Sequence, residues 1–185
     1  MNIVTDGFNK IRRKFKYNLD YTGERVVPTE MHGDPRTWIQ HLSRYVFALN
    51  HVVRCETLDM ACGTGYGSAI LSSLAKNLVG LDISKQAVLW AKKNNTFYCP
   101  ATFIVRDIEN QTVSKMFDSI VCFETIEHLK NPNKLLKEVH RILKPKGKFI
   151  ISTPNYFSYY PFIEWLYDKS SIHNMEYKLG EQHIS

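Results

Sequence analysis

The stretch LDMACGTGYG, Leu58 to Gly67, decides how the chain reads. A short apolar run, Thr57-Leu58-Asp59-Met60-Ala61, stops at three glycines, Gly63, Gly65 and Gly67, and a helical pattern follows. Strand, glycine turn and helix, in that order, is how an α/β sheet presents backbone N–H groups and the positive end of a helix to a ligand. The carboxylate of Asp59, just ahead of the turn, sets the stretch apart from a bare glycine loop.

Working outward, apolar runs of strand length alternate with helical patterns. Strands are expected at 56–61, 78–82, 102–105, 117–123 and 148–153. Helices are expected at 66–75, at 85–95 with Ser84 as N-cap, and at 132–143 with Pro132 in the first turn. Lys144-Pro145-Lys146-Gly147 reads as a stop between the last helix and the last strand. Upstream, Trp38, Ile39, Leu42, Tyr45, Val46, Leu49, Val52 and Val53 form one apolar helical stripe. Residues 1–36, rich in Gly, Pro and charge, read as a lead-in or cap, and 37–185 as the main domain. The alternation predicts an α/β fold: a doubly wound, mostly parallel sheet with helices on both faces and right-handed crossovers.

Ligands of such sheets sit at the carboxyl ends of the strands, at the switch in strand order. There the chain places the glycine turn, Asp82, Asp107 and Phe123-Glu124. Asp82 follows Gly63 by 19 residues, the spacing of a carboxylate that accepts from ribose hydroxyls. The glycines fit GxGxG rather than the dinucleotide GxGxxG, and Asp59 would repel a pyrophosphate. An acid there suits a cationic ligand, such as an α-amino group beside a sulfonium. Asp107 either accepts from an adenine amino group or is an exposed turn residue.

At this point the chain resembles the class I S-adenosylmethionine-dependent methyltransferases. The resemblance rests on LDMACGTGYG, VGLDIS (79–84), VRDI (105–108), FDSIVCFETIEHL (117–129) and LKPKGKFIISTPN (143–155), in that order. It implies a Rossmann-like fold and S-adenosylmethionine as cofactor. Asp59, Ala61, Gly63 and Gly65 would hold the methionine part, and Asp82 the ribose with Ile83 against the adenine. Asp107 and Ile108 would frame the adenine, and Phe123 would close the pocket. YTGERVVPTE (21–30) with HLSRYVFALNHV (41–52) is similar to bacterial members linked to glycan and cell-surface chemistry. In that setting His41, Arg44 or Tyr45 reaches the cofactor carboxylate or the substrate, or else His41 and Arg44 make helix-surface contacts and Tyr45 packs in the core.

Methyl transfer from a sulfonium needs alignment, and an oxygen acceptor also needs a proton acceptor or a metal. Glu124-Thr125-Ile126-Glu127-His128 follows strand 4, at the crevice. In a helical turn Glu124, Glu127 and His128 would share one face and hold a divalent ion. The ExxEH pattern is similar to that of metal-assisted RNA 2′-O-methyltransferases and ubiquinone-pathway O-methyltransferases. In that comparison His173, in His173-Asn174-Met175-Glu176-Tyr177, is the fourth ligand, ahead of His183. Without a metal, Glu124 contacts the cofactor, Glu127 favours a helix start and His128 is the general base, as an imidazole suits proton acceptance near neutrality.

Composition bounds the rest. With 185 residues, 44% of them hydrophobic and 23% charged, the chain can build a proper core. It has no run of the roughly 20 apolar residues that span a bilayer and no secretory h-region. Cys55, Cys62, Cys99 and Cys122 show no CxxC spacing, which suits reduced thiols in the cytoplasm. The net charge of +6, with the basic run 10–16, suits a solvated arm or an anionic partner. The resemblance also implies a C-terminal hairpin, strands 6 and 7, that 156–185 does not spell out. This predicts an open sheet edge and self-association, or a shortened, non-catalytic cofactor-binding protein. The expected reaction is O-methylation of a small molecule or glycan, the alternative acceptor being RNA ribose.

Overall fold

The alternating runs form one parallel sheet in the computed structural model, which describes residues 35–110 and 113–154. The basic run 10–16, His173 and His183 lie outside the described residues. Five strands, β1 (Glu56–Met60), β2 (Asn77–Asp82), β3 (Ala101–Val105), β4 (Phe117–Phe123) and β5 (Leu143–Ser152), lie in the order β3-β2-β1-β4-β5. Every pairing is parallel, with Asp59 opposite Gly80 on one side and Val121 on the other. Strand order reverses between β1 and β4, so the switch point falls directly above the glycine turn. The helices are α1 (Pro35–Leu49), α2 (Tyr66–Ser72), α3 (Lys85–Asn94) and α4 (Pro132–Ile142), with a 3-10 turn at Ile126–His128. The doubly wound α/β expectation holds for the described residues. The chain divides into two units, Met1–Thr153 and Pro154–Ser185, and the sheet and helices belong to the first.

Side-chain alternation along β1 sorts the two faces. Leu58 and Met60 point to one layer, with Leu81, Phe117, Ile120 and the α4 residues Leu135, Val139 and Ile142. The other layer gathers Tyr45, Ala48 and Val52, Leu71 of α2, and Val88 and Ala91 of α3 over Phe103, Val121 and Ile150. Thr57 and Asp59 are also buried. Only part of the upstream stripe is core: α1 stops at Leu49, and Ile39, Val46 and Val53 are exposed.

Local signals account for most boundaries. Ser84 caps α3 by accepting from the Ala87 N–H at 3.3 Å, and Pro132 sits in the first turn of α4. One expectation is corrected. Lys144-Pro145-Lys146-Gly147 does not interrupt the chain between helix and strand; β5 begins at Leu143. Its pairing shifts register between Phe117–Leu143 and Ser119–Lys148, with Lys146 left-handed at φ 64°. Pro145 and the extra residues are taken up by a bulge, which the outer strand of the described sheet tolerates. All four cysteines are free thiols; Cys62 and Cys122 are buried, Cys55 and Cys99 partly so. No described helix is long and apolar enough to cross a membrane.

A charged network ties the amino ends of the strands together. The Glu56 carboxylate meets Lys115 at 2.6 Å and Lys76 at 3.5 Å, and accepts from Asn77 at 2.7 Å. The Glu56 N–H donates to Asp118, which Lys144 contacts at 3.0 Å. The hydrogen bond from Lys115, then that from Asn77, lowers the Glu56 pKa to about 2. A depressed carboxylate stabilises the fold above its ordinary value of 4.5, and that stability is lost as pH falls toward 2. Glu56→Gln should therefore flatten the decline of melting temperature over that acidic window and cost on the order of 1 kcal/mol at neutral pH; an unchanged acid limb would refute this role.

Candidate functional site

The glycine turn is a run of left-handed backbone. Ala61 (φ 58°), Gly63 (φ 54°) and Gly65 (φ 75°), every second residue of the turn, take positive φ. Gly65 is also sterically required: a Cβ there would lie 2.7 Å from the Ala91 Cβ of α3. A Cβ at Gly63 would meet nothing within 4 Å, so the turn is open on the side toward the crevice. Asn95, at the end of α3, donates to the Thr64 carbonyl at 2.8 Å and pins the turn from outside.

Asp59 is fully buried. Ser68 of α2 donates to one of its oxygens at 2.6 Å, and Tyr45 of α1 donates to the other at 3.4 Å. Burial raises its pKa to about 7, against the opposing pull of those two hydrogen bonds. The carboxylate joins two helices, α1 and α2, to β1. Tyr45 forms edge-on contacts with Tyr66 and Phe123, at centroid distances of 5.5 and 5.0 Å. A Cβ at Gly67 would fall 2.0 Å from its ring, so the third glycine is the slot for Tyr45.

Asp82 ends β2 almost completely buried. Its two oxygens accept from the Gly63 N–H and the Ser84 N–H, each at 2.8 Å, which orients the carboxylate beside the turn. Ile83 next to it is 69% exposed, an apolar shelf at the crevice. Asp107 is occupied locally, accepting from the Glu109 N–H at 2.9 Å and from Asn110 at 2.8 Å. These bonds, that from Asn110 foremost, lower its pKa. Ile108 is a core residue packed with the α4 layer, not an open face of the crevice.

The segment after β4 does not form the expected helical face. Glu124 stands before the 3-10 turn in a left-handed conformation, φ 45°. Its carboxylate pairs with Arg44 of α1 at 3.2 Å and accepts from Ser152 of β5 at 2.7 Å. Glu127 instead accepts from Thr153 at 3.2 Å and lies 3.9 Å from His128 Nε2. Among the described residues no group of three His, Cys, Asp or Glu comes together to hold a metal. Glu124 is held by Arg44 and Ser152 while Glu127 turns to Thr153, so Glu124, Glu127 and His128 do not converge here; His173, the fourth expected ligand, lies outside the described residues.

Beside this pair lies a cavity of about 260 Å³ lined by Ser43, Arg44, Phe47, Phe123, Ile150, Ile151 and Ser152. His41 shares a hydrogen bond with the Tyr66 hydroxyl at 3.1 Å, and burial, then Arg44, lowers its pKa. Three residues of α1 thus reach the site: His41 to Tyr66, Arg44 to Glu124, Tyr45 to Asp59. The roles of Ser68 and Asn95 have no spacing signal in the sequence.

Residues 58–151 match the methyltransferase domain family. The chain belongs to that family. Its kin are the class I S-adenosylmethionine-dependent methyltransferases, as the sequence motifs implied. It is 28% identical over 152 residues to a Mycolicibacterium smegmatis protein described as a probable S-adenosylmethionine-dependent methyltransferase, covering 77% of this chain and 54% of the relative. It is 32% identical over 107 residues to the ubiquinone biosynthesis O-methyltransferase of Glaesserella parasuis, covering 54% of this chain and 45% of the relative. The chain thus spans about half the length of these curated relatives. The fold is similar to that of the N-methyltransferase NodS of Bradyrhizobium japonicum in complex with S-adenosyl-L-homocysteine, with a TM-score of 0.60 at 17% identity over 78% of this chain and 71% of that one.

Two outcomes are expected. Ala61 carries a Cβ in a left-handed conformation, so Ala61→Gly should raise stability by about 1 kcal/mol in thermal or urea unfolding. Asp59 has a raised pKa, so its contribution is present near its ordinary 3.8 and lost as pH rises through about 7. Asp59→Asn should remove that downward slope between pH 4 and 7; a slope that persists would mean another group carries it.

Proposed function

We propose that this chain is the cofactor-binding core of an S-adenosylmethionine-dependent methyltransferase that methylates an oxygen of a small molecule or glycan. The observation that carries the reading is the buried Asp82 carboxylate, held by the N–H groups of Gly63 and Ser84 beside an open glycine turn. When bound, the cofactor supplies a methyl group activated on a sulfonium. Asp82 would accept from the ribose hydroxyls with the lone pairs its backbone donors leave, and Ile83 would cover the adenine face. The open backbone at Gly63 would let the methionine part approach closely.

Arg44 of α1, paired with Glu124 at 3.2 Å, would turn from Glu124 to meet the cofactor carboxylate. Phe123 would wall the pocket toward the acceptor. His128, exposed beside Glu127, would take the proton of the acceptor hydroxyl, and Glu127 would steady the resulting imidazolium. These roles fall to the chain's own residues. The O-methyltransferase relative supports oxygen as the acceptor atom.

Calorimetry with S-adenosylhomocysteine should show binding by the full chain, and Asp82→Ala should weaken it roughly 10- to 100-fold. His128→Ala should leave that affinity intact and lower turnover about 100-fold or more with phenolic or monosaccharide acceptors. Failure of the wild-type chain to bind would sink the cofactor reading; full turnover by His128→Ala would remove only the base.

A further inference from the structure

Charge is not spread evenly along this chain. Residues 130–148 hold seven lysines and arginines against one acid, Glu138, a net +6 that equals the charge of the whole protein. The remaining 166 residues are balanced. This segment is α4 followed without a loop by the start of β5. Helical geometry puts Lys134, Lys137 and Arg141 in one stripe, opposite the buried Leu135, Val139 and Ile142. In the chain Lys144 and the left-handed Lys146 follow, at the start of β5. Lys134, Lys137, Arg141 and Lys146 are all exposed. Arg141 is answered by Glu138 at 2.7 Å and Lys144 by Asp118 at 3.0 Å. Among the described residues Lys137 and Lys146 make no ion pair.

We infer that the outer face of α4 and the adjoining bulge of β5 dock the protein on an anionic membrane surface. Three cations stand on the helix and two more at the start of β5, and clustered cations of this kind are what anionic headgroups recognise. Leu136, 42% exposed, lies roughly 100° round the helix from Lys137, on the side of the buried face. Single-stranded nucleic acid fits less well, because residues 130–148 contain no Phe, Tyr or Trp on which a base could stack. Arg141, Lys144 and Lys146 lie at the amino ends of the strands, away from the glycine turn, while Lys134, in the first turn of α4, lies toward Asp107 at the other end. The inference stands whether or not the methyl acceptor has been correctly named.

The test is co-sedimentation of the full chain with vesicles of phosphatidylcholine, alone or with roughly a third replaced by phosphatidylserine. Binding only to the anionic vesicles, fading as salt is raised, is the expected result. Combining Lys134→Glu, Lys137→Glu and Lys146→Glu should lower partitioning about 100-fold, with melting temperature and S-adenosylhomocysteine affinity unchanged. If that variant misfolds, Lys134→Gln with Lys137→Gln should still lower partitioning about tenfold or more. A matched reversal at Arg12, Arg13 and Lys14 separates the basic run near the N-terminus from this face. The inference is overturned if the chain ignores anionic vesicles, if only the reversal at 12–14 releases it, or if an RNA oligonucleotide is bound in preference at the same salt.

Discussion

Everything at the crevice depends on one buried carboxylate. Asp59 has no exposure, yet it is the point at which β1, α1 and α2 are joined, through Tyr45 and Ser68. Burying a carboxylate is costly unless donors reach it, and here both donors come from helices that must therefore sit in one place. The Tyr45 ring fills the space left by the missing side chain of Gly67, so the same contact that satisfies the acid also sets the approach of α2. Phe123, from the strand on the far side of the switch point, closes against that ring.

The other end of β1 shows the opposite solution to the same problem. Glu56 remains charged because Lys115, Lys76 and Asn77 surround it at a partly wetted rim. One strand thus begins with an acid held ionised by cations and ends with an acid pushed toward neutrality by burial. Asp82 takes a third course: backbone N–H groups of the turn and of the next helix hold it. A carboxylate anchored by main chain keeps its position when side chains move, which suits a ligand contact better than a structural tie.

The sheet was legible because parallel strands buried on both faces read as apolar runs, and the helices between them carry a 3.6-residue period. Asp82 was legible because spacing and strand end coincide. The role of Asp59 was not, since its partners, Tyr45 and Ser68, sit on separate helices and leave no periodic trace. The ExxEH segment misled for a local reason. A left-handed Glu124 takes the first residue off the face that the spacing implies, and its partner Arg44 lies 80 positions upstream. Pro145 and Gly147 looked like a break because composition does not distinguish a bulged outer strand from a loop.

The parallel register has a consequence for how the site comes into being. Glu56 and Asp118 touch although 62 positions separate them, and β4 must lie against β1 before Phe123 can meet Tyr45. Loop closure of that length is an entropic cost met before any reward from the contacts. The crevice is therefore a late product of folding, absent from any partly assembled chain. A ligand that binds it stabilises only the finished sheet, by mass action. Such a ligand adds to the stability of the folded chain in proportion to the logarithm of its concentration over its Kd.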